Sequence, residues 1–126
     1  MMRWIAAASM LVSLAVQGET PVAEAQKLYA VEFRTGPAWK PGLVPPAQPY
    51  FKEHSANLQR LRSEGVLVAG ARYGEVGLVV LRATSLAAAE SQIAQDPAVV
   101  HGLFSYQLNE MLVFYPGHLG KPVSPP

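Results

Sequence analysis

The feature that most constrains this chain is the order in which its hydrophobic periodicity changes. Between residues 27 and 115 the pattern passes from period two to a spacing of three and four, through two short continuous apolar runs, to a second three-four spacing and a last alternating run, and every proline in that stretch lies at a junction. Alternation puts side chains on the two faces of a strand, whereas a three-four spacing gathers them on one stripe of a helix, so the two patterns cannot exchange roles. Lys27 to Arg34 alternates, with Tyr29, Val31 and Phe33 on one face, and reads as a strand. Thr35 to Pro49 holds five prolines and two glycines and must be a long surface loop. Tyr50 to Glu64 then carries Phe51, His54, Leu58 and Leu61 on one helical stripe, with Gly65 as its stop.

Two short apolar runs follow, Val66 to Ala71 and Val76 to Arg82, joined by Arg72-Tyr73-Gly74-Glu75 as in a hairpin. After Thr84 and Ser85, either able to cap, Leu86 to Gln95 places Leu86, Ala89 and Ile93 on one stripe of a second helix. Asp96-Pro97 breaks it, Ala98 to Phe104 is a short connection with room for one helical turn, and Tyr106 to Tyr115 is a last strand. Residues 116–126 form a Pro/Gly-rich tail. Right-handed crossovers turn this βαββαβ order into a ferredoxin-like plait of class α+β, an antiparallel four-stranded sheet with two helices on one face.

Composition enters as a set of exclusions. The 126 residues are enough for one domain, here residues 26–115. Only 15% are charged and the net charge is +1, which is globular and not the profile of a nucleic-acid binder. With no cysteine there is no disulfide, thiolate chemistry or Cys-ligated metal. Ahead of the domain, Arg3 and the apolar run Trp4 to Val16 have the form of a signal-peptide core, too short for a stable membrane span. Residues 1–25 are therefore expected to be a leader, cleaved after Gly18 or Ala25, which makes the protein periplasmic or secreted; an uncleaved anchor is the other reading. Its removal leaves nine basic against seven acidic residues.

The helices cover one sheet face only, yet the middle strands are apolar at almost every position, and the last strand adds Met111, Leu112, Val113 and Phe114 in succession. Leaving several hundred Å² of such surface wet is costly at about 25 cal/mol per Å². A second copy packed on the outer face, with Val79 among the outward residues, would complete a dimeric α+β barrel.

Chemistry-bearing residues are few. The histidines His54, His101 and His118 show no spacing that preassembles metal ligands, and there is no nucleophile elbow or phosphate loop, so neither metal nor cofactor is expected. His54 lies mid-stripe on the first helix and faces the sheet. Asp96, the sole aspartate, falls on the extended stripe of the second helix. A carboxylate bonded to one ring nitrogen orients an imidazole and leaves the other nitrogen as a general base. Two plainer accounts stand beside this one: Asp96 before Pro97 suits a helix cap, and an inward histidine is commonly satisfied by packing. For substrate binding, Arg72 at the hairpin tip could reach an anion or stand in solvent, Trp39 in the proline loop either docks or covers a pocket, and His101 would form a second wall of the cavity.

The sequence of His54, Leu58, Leu61, Gly65-Val66-Leu67, Ala69-Gly70, Gly77, Asp96-Pro97 and Gly102-Leu103-Phe104 resembles the YciI-like (YCII-related) family of the dimeric α+β barrel superfamily, over roughly Lys27 to Tyr115. The resemblance implies a ferredoxin-like subunit, a homodimer and an active site on a histidine and an aspartate, here His54 and Asp96. Characterised relatives include a dehydrochlorinase of aromatic degradation, and the superfamily holds isomerases and monooxygenases of small ring compounds. This chain has Gly70-Ala71-Arg72 where the family often has proline after the glycine, and the leader and proline loop are additions. Two functions are thereby expected to compete: a lyase or isomerase using the His-Asp pair on a small cyclic or carbonyl substrate, and an exported homodimeric module that only binds an apolar ligand.

Overall fold

A computed structural model describes residues 25–120, so the expected leader, save for Ala25, lies outside the described residues. The elements run β1 (Lys27–Thr35), a 3-10 turn (Pro45–Ala47), α1 (Phe51–Ser63), β2 (Leu67–Tyr73), β3 (Val76–Ala83), α2 (Leu86–Ala94), α3 (Pro97–Val100) and β4 (Phe104–Met111). The strands form one antiparallel sheet in the order β2-β3-β1-β4, the arrangement of a ferredoxin-like plait. Each helical crossover skips one strand, which is how two βαβ units interleave in a single antiparallel sheet.

Local chemistry explains the element boundaries. Helix α1 ends where Val66 donates its amide to the Leu61 carbonyl and Gly65 donates to Arg62, with Gly65 at φ 76°; this closing pattern requires a left-handed residue, and glycine supplies it without a Cβ penalty. Ser85 caps α2 by accepting the Ala88 amide. The β2–β3 turn is only Gly74-Glu75, with a positive φ at Gly74 alone, as a type II′ hairpin requires. Arg72 and Tyr73, expected in the turn, are consequently strand residues.

Tyr29, Val31 and Phe33 of β1 meet Val79 and Leu81 of β3, and Leu61, Ala89 and Ile93 of the helices close the core over them. Val79 thus faces the helices, opposite Val31, and the expected outward position belongs to its neighbours Leu78 and Val80, which pair with Glu32 and Ala30. A bulge decides the facing of β2: Leu67 pairs with Leu81, but Ala69 pairs with Val80, leaving Val68 as an extra residue. Leu67, Gly70 and Arg72 therefore share the helix-facing side, although a strand without the bulge would turn Arg72 outward.

The last strand is shorter than its apolar run. Pairing stops at Met111 opposite Leu28, and Leu112 to Tyr115 continue as unpaired chain, with Phe114 84% and Tyr115 93% exposed. The outer sheet face is correspondingly less apolar than expected. Its centre holds Ala30, Leu78 and Val80, while Ser105, Gln107 and Asn109 line the β4 edge. Glu32 on that face accepts the Tyr73 hydroxyl at 2.6 Å and lies 3.3 Å from Arg34.

The proline loop is built, not loose. Gln48 is buried and its side chain accepts the Lys40 amide at 2.9 Å while donating to the carbonyls of Lys40 and Leu43. At its start, Gly36 donates to Leu103 at 2.7 Å and Ala38 donates to Gly102 at 2.9 Å, which docks the loop on the α3–β4 turn. A Cβ on Gly36 would lie 2.2 Å from the Gly102 carbonyl oxygen, so no other residue fits there.

Candidate active site

The cavity forms where the sheet outruns its helical cover. Near the turn of the hairpin the helix-facing positions include Gly70 and Gly77, whose missing side chains leave bare floor beside Phe33 and Arg72. Phe51, His54 and Leu58 of α1 line it together with Trp39, Pro45 and Phe104. The cavity is a half-open cleft of about 580 Å³, enough for a ligand of one or two rings. Trp39 docks on Phe104 with ring centroids 5.8 Å apart and is among the residues that line the cavity.

His54 stands at the back of this cavity, 7% exposed, with Phe33, Phe51 and Phe104 around its ring at centroid distances of 5.2, 6.2 and 4.9 Å. Its Nδ1 lies 2.9 Å from Oδ2 of the fully buried Asp96. Asp96 sits at the start of α3, where its Oδ1 accepts the Ala98 amide at 2.9 Å. The cap and the histidine contact were opposed on the sequence, yet one carboxylate performs both, an oxygen for each. A third bond comes from a residue the sequence reading passed over: Asn57, one turn after His54, donates its amide nitrogen to the same Oδ2 at 2.9 Å. The i, i+3 spacing on one helix face was the available signal.

Burial by itself would raise the Asp96 pKa. The hydrogen bond and charge of His54, with the bonds from Asn57 and the Ala98 amide, outweigh it and hold the carboxyl below its usual range. An ionised carboxylate only accepts, so the proton of the His54–Asp96 bond belongs to Nδ1. The other nitrogen, Nε2, makes no hydrogen bond among the described residues. No side-chain nitrogen or oxygen there is sealed from solvent without a partner. In the neutral ring Nε2 then carries the lone pair, on a side chain that lines the cavity, which is the arrangement of a general base with an orienting carboxylate.

Arg72 lines the cavity from across the floor and has no hydrogen-bond or ion-pair partner among the described residues. Its strand pairs it with Gly77, which pairs in turn with Phe33, whose ring meets the imidazole, so the backbones of Arg72 and Phe33 are about two strand spacings apart, or roughly 10 Å. His101 takes no part. It terminates α3 and is exposed, its ring stacked at 3.9 Å and 7° on Tyr50, because the α3 turn that aims Asp96 inward carries residue 101 to the surface. The expected second wall is supplied by Phe104 instead. Tyr50, at φ 66°, is the sole non-glycine residue with positive φ among the described residues; it opens α1, and its carbonyl accepts the His54 amide.

Among the described residues no three His, Cys, Asp or Glu side chains gather as a metal site, and no helix is long and apolar enough to cross a membrane. No protein-family model matches the chain, and no curated protein matches it.

Proposed function

We propose that this protein is a YciI-like enzyme of proton transfer, of lyase or isomerase type, acting on a small cyclic or carbonyl substrate. The observation that carries the reading is the 2.9 Å pairing of buried Asp96 with His54 Nδ1, in a histidine that lines an aromatic cavity. In this reading Nε2 takes a proton from the substrate, and the Asp96 carboxylate stabilises the resulting imidazolium. The electron pair left on the substrate then either moves along a conjugated system, with the proton returned elsewhere, or expels an anionic leaving group. Phe33, Phe51, Trp39 and Phe104 favour a flat apolar body, and the unpaired Arg72 favours an anionic group on it.

A second reading has its own support. Asp96 is accounted for by its cap and His54 by its aromatic packing, so the cavity would serve an exported binding module equally well. Both readings include a homodimer through the outer face, where a second copy would cover the apolar centre of the sheet and the exposed Leu112 to Tyr115. Export rests on the leader form of residues 1–25, and the intact mass of protein from its native host measures it.

A panel of small aromatic and alicyclic carboxylic acids, screened by thermal shift, finds ligands for either reading. Incubating each binder with the protein in D2O and following C–H signals by NMR then separates the two. The enzyme reading expects exchange with the native protein and none with His54→Gln, which still binds; binding without exchange throughout establishes the module. Arg72→Ala is expected to weaken carboxylate ligands roughly 10- to 100-fold, the loss of one charge-assisted bond, and to leave their neutral amides unaffected.

A further inference from the structure

We propose that Asn57, held in place by Arg60, is a positioning residue that sets how much of the Asp96 charge His54 receives. The inference rests on the reading of His54 as the proton acceptor. Its basis is a chain of bonds running from the surface to the imidazole. Glu64 accepts two bonds from Arg60 Nη1, at 3.1 and 2.9 Å. Arg60 Nη2 donates to Asn57 Oδ1 at 2.9 Å, and Asn57 Nδ2 donates to Asp96 Oδ2 at 2.9 Å, beside His54 Nδ1 on the same oxygen.

Each link fixes the next. An amide can present oxygen or nitrogen to a given neighbour, and a guanidinium only donates, so Arg60 claims the Asn57 oxygen and commits the nitrogen to Asp96. The carboxylate is then pinned at three points, and two of its bonds divide a single oxygen. A donor sharing that oxygen draws off part of the negative charge on which the imidazole relies. Asn57 thereby moderates the His54–Asp96 bond as well as aiming it. A purely structural Asn57, tying α1 to α3, would contribute to stability without altering that bond.

The Nδ1 proton of a carboxylate-bound imidazole resonates well downfield of the amides, and histidine ¹⁵N shifts report which ring nitrogen carries the proton. With ¹⁵N-histidine-labelled protein at one neutral pH, the native chain is expected to show His54 protonated at Nδ1 and bare at Nε2. Asn57→Leu, which leaves Oδ2 to the imidazole alone, is expected to move the Nδ1 proton further downfield. Arg60→Ala, at an exposed position, is expected to move it in the same direction by less, since it only unlocks the amide. An unchanged signal in both folded variants overturns the proposal, and a shift in Asn57→Leu alone overturns the part assigned to Arg60. Should Asn57→Leu fail to fold, Arg60→Ala decides. A native protein protonated at Nε2 would refute the proton-acceptor reading itself, a result distinct from either of these.

Discussion

Replacing Asp96 by Asn changes one atom of the centre and separates its two duties. Asparagine caps helices about as well as aspartate, so the bond from the Ala98 amide to Oδ1 survives. At the other oxygen an NH2 group replaces an acceptor and meets two donors, His54 Nδ1 and Asn57 Nδ2, each at 2.9 Å. The imidazole can respond by moving its proton to Nε2 and accepting at Nδ1. Asn57 can turn its amide only by giving up Arg60. While Arg60 holds the amide, the part-buried Asn57 Nδ2 is left facing another donor, at a cost of about 1–3 kcal/mol. In a domain of this size that is a fall in Tm of about 4–20 °C. The same proton shift removes the basic lone pair from the cavity, so substrate exchange should drop by about 10²- to 10⁴-fold. Urea unfolding and calorimetry measure the first effect and D2O exchange the second. The sign with pH follows from the depressed carboxyl: its contribution is complete above the ordinary carboxyl range and is lost as pH falls through the lower folded value. The gap between native and Asp96→Asn should therefore be widest near neutrality and narrow in acid. A variant within about 0.5 kcal/mol of native stability, or a gap independent of pH, would show that Asp96 is a cap and nothing more.

Other substitutions probe the scaffold. Gly36→Ala forces a Cβ against the Gly102 carbonyl and should undock the proline loop, losing two backbone bonds worth about 1–3 kcal/mol together and changing the fluorescence of Trp39; an unaltered emission spectrum and stability would contradict the docking. Leu78→Asp on the outer face should yield a folded monomer by light scattering, whereas Val79→Asp puts an unpaired charge into the core and should unfold the chain. Equal behaviour of the two variants would contradict the assignment of faces.

How much of this was legible in the sequence depends on the range of the interaction that decides each feature. The order of strands and helices was legible because the outer runs and both long helices announce their period over eight or more residues, the two short apolar runs between them are joined by a turn, and the plait follows from that order with little freedom left. His54 and Asp96 were legible as inward residues for the same reason: helical phase is local. What the sequence concealed lay in single-residue events. The bulge at Val68 inverts the facing of everything after it in β2, so Arg72 reaches the cavity floor from a position that alternation assigns to the outer face. No pattern in Leu67-Val68-Ala69-Gly70 marks where the extra residue falls, because the register is set by partners on β3. The end of β4 was hidden differently. Leu112 to Phe114 are as apolar as a strand should be, but the chain has run past the end of β1, whose Leu28 pairs with Met111, and a strand without a neighbour has nowhere to place its amides. Gln48 and Asn57 were missed because a neutral amide carries no charge, and the i, i+3 placement of Asn57 after His54 does not by itself name a partner. Each became visible only when the fold brought its partners near: two backbone carbonyls and an amide for Gln48, an arginine and a carboxylate for Asn57. The same reasoning explains why the cap and the pair looked like rivals at Asp96. On a sequence one residue is assigned one role, whereas a carboxylate has two oxygens, and a helix start packed against α1 can direct one of them into its own backbone and the other at an imidazole 42 positions away.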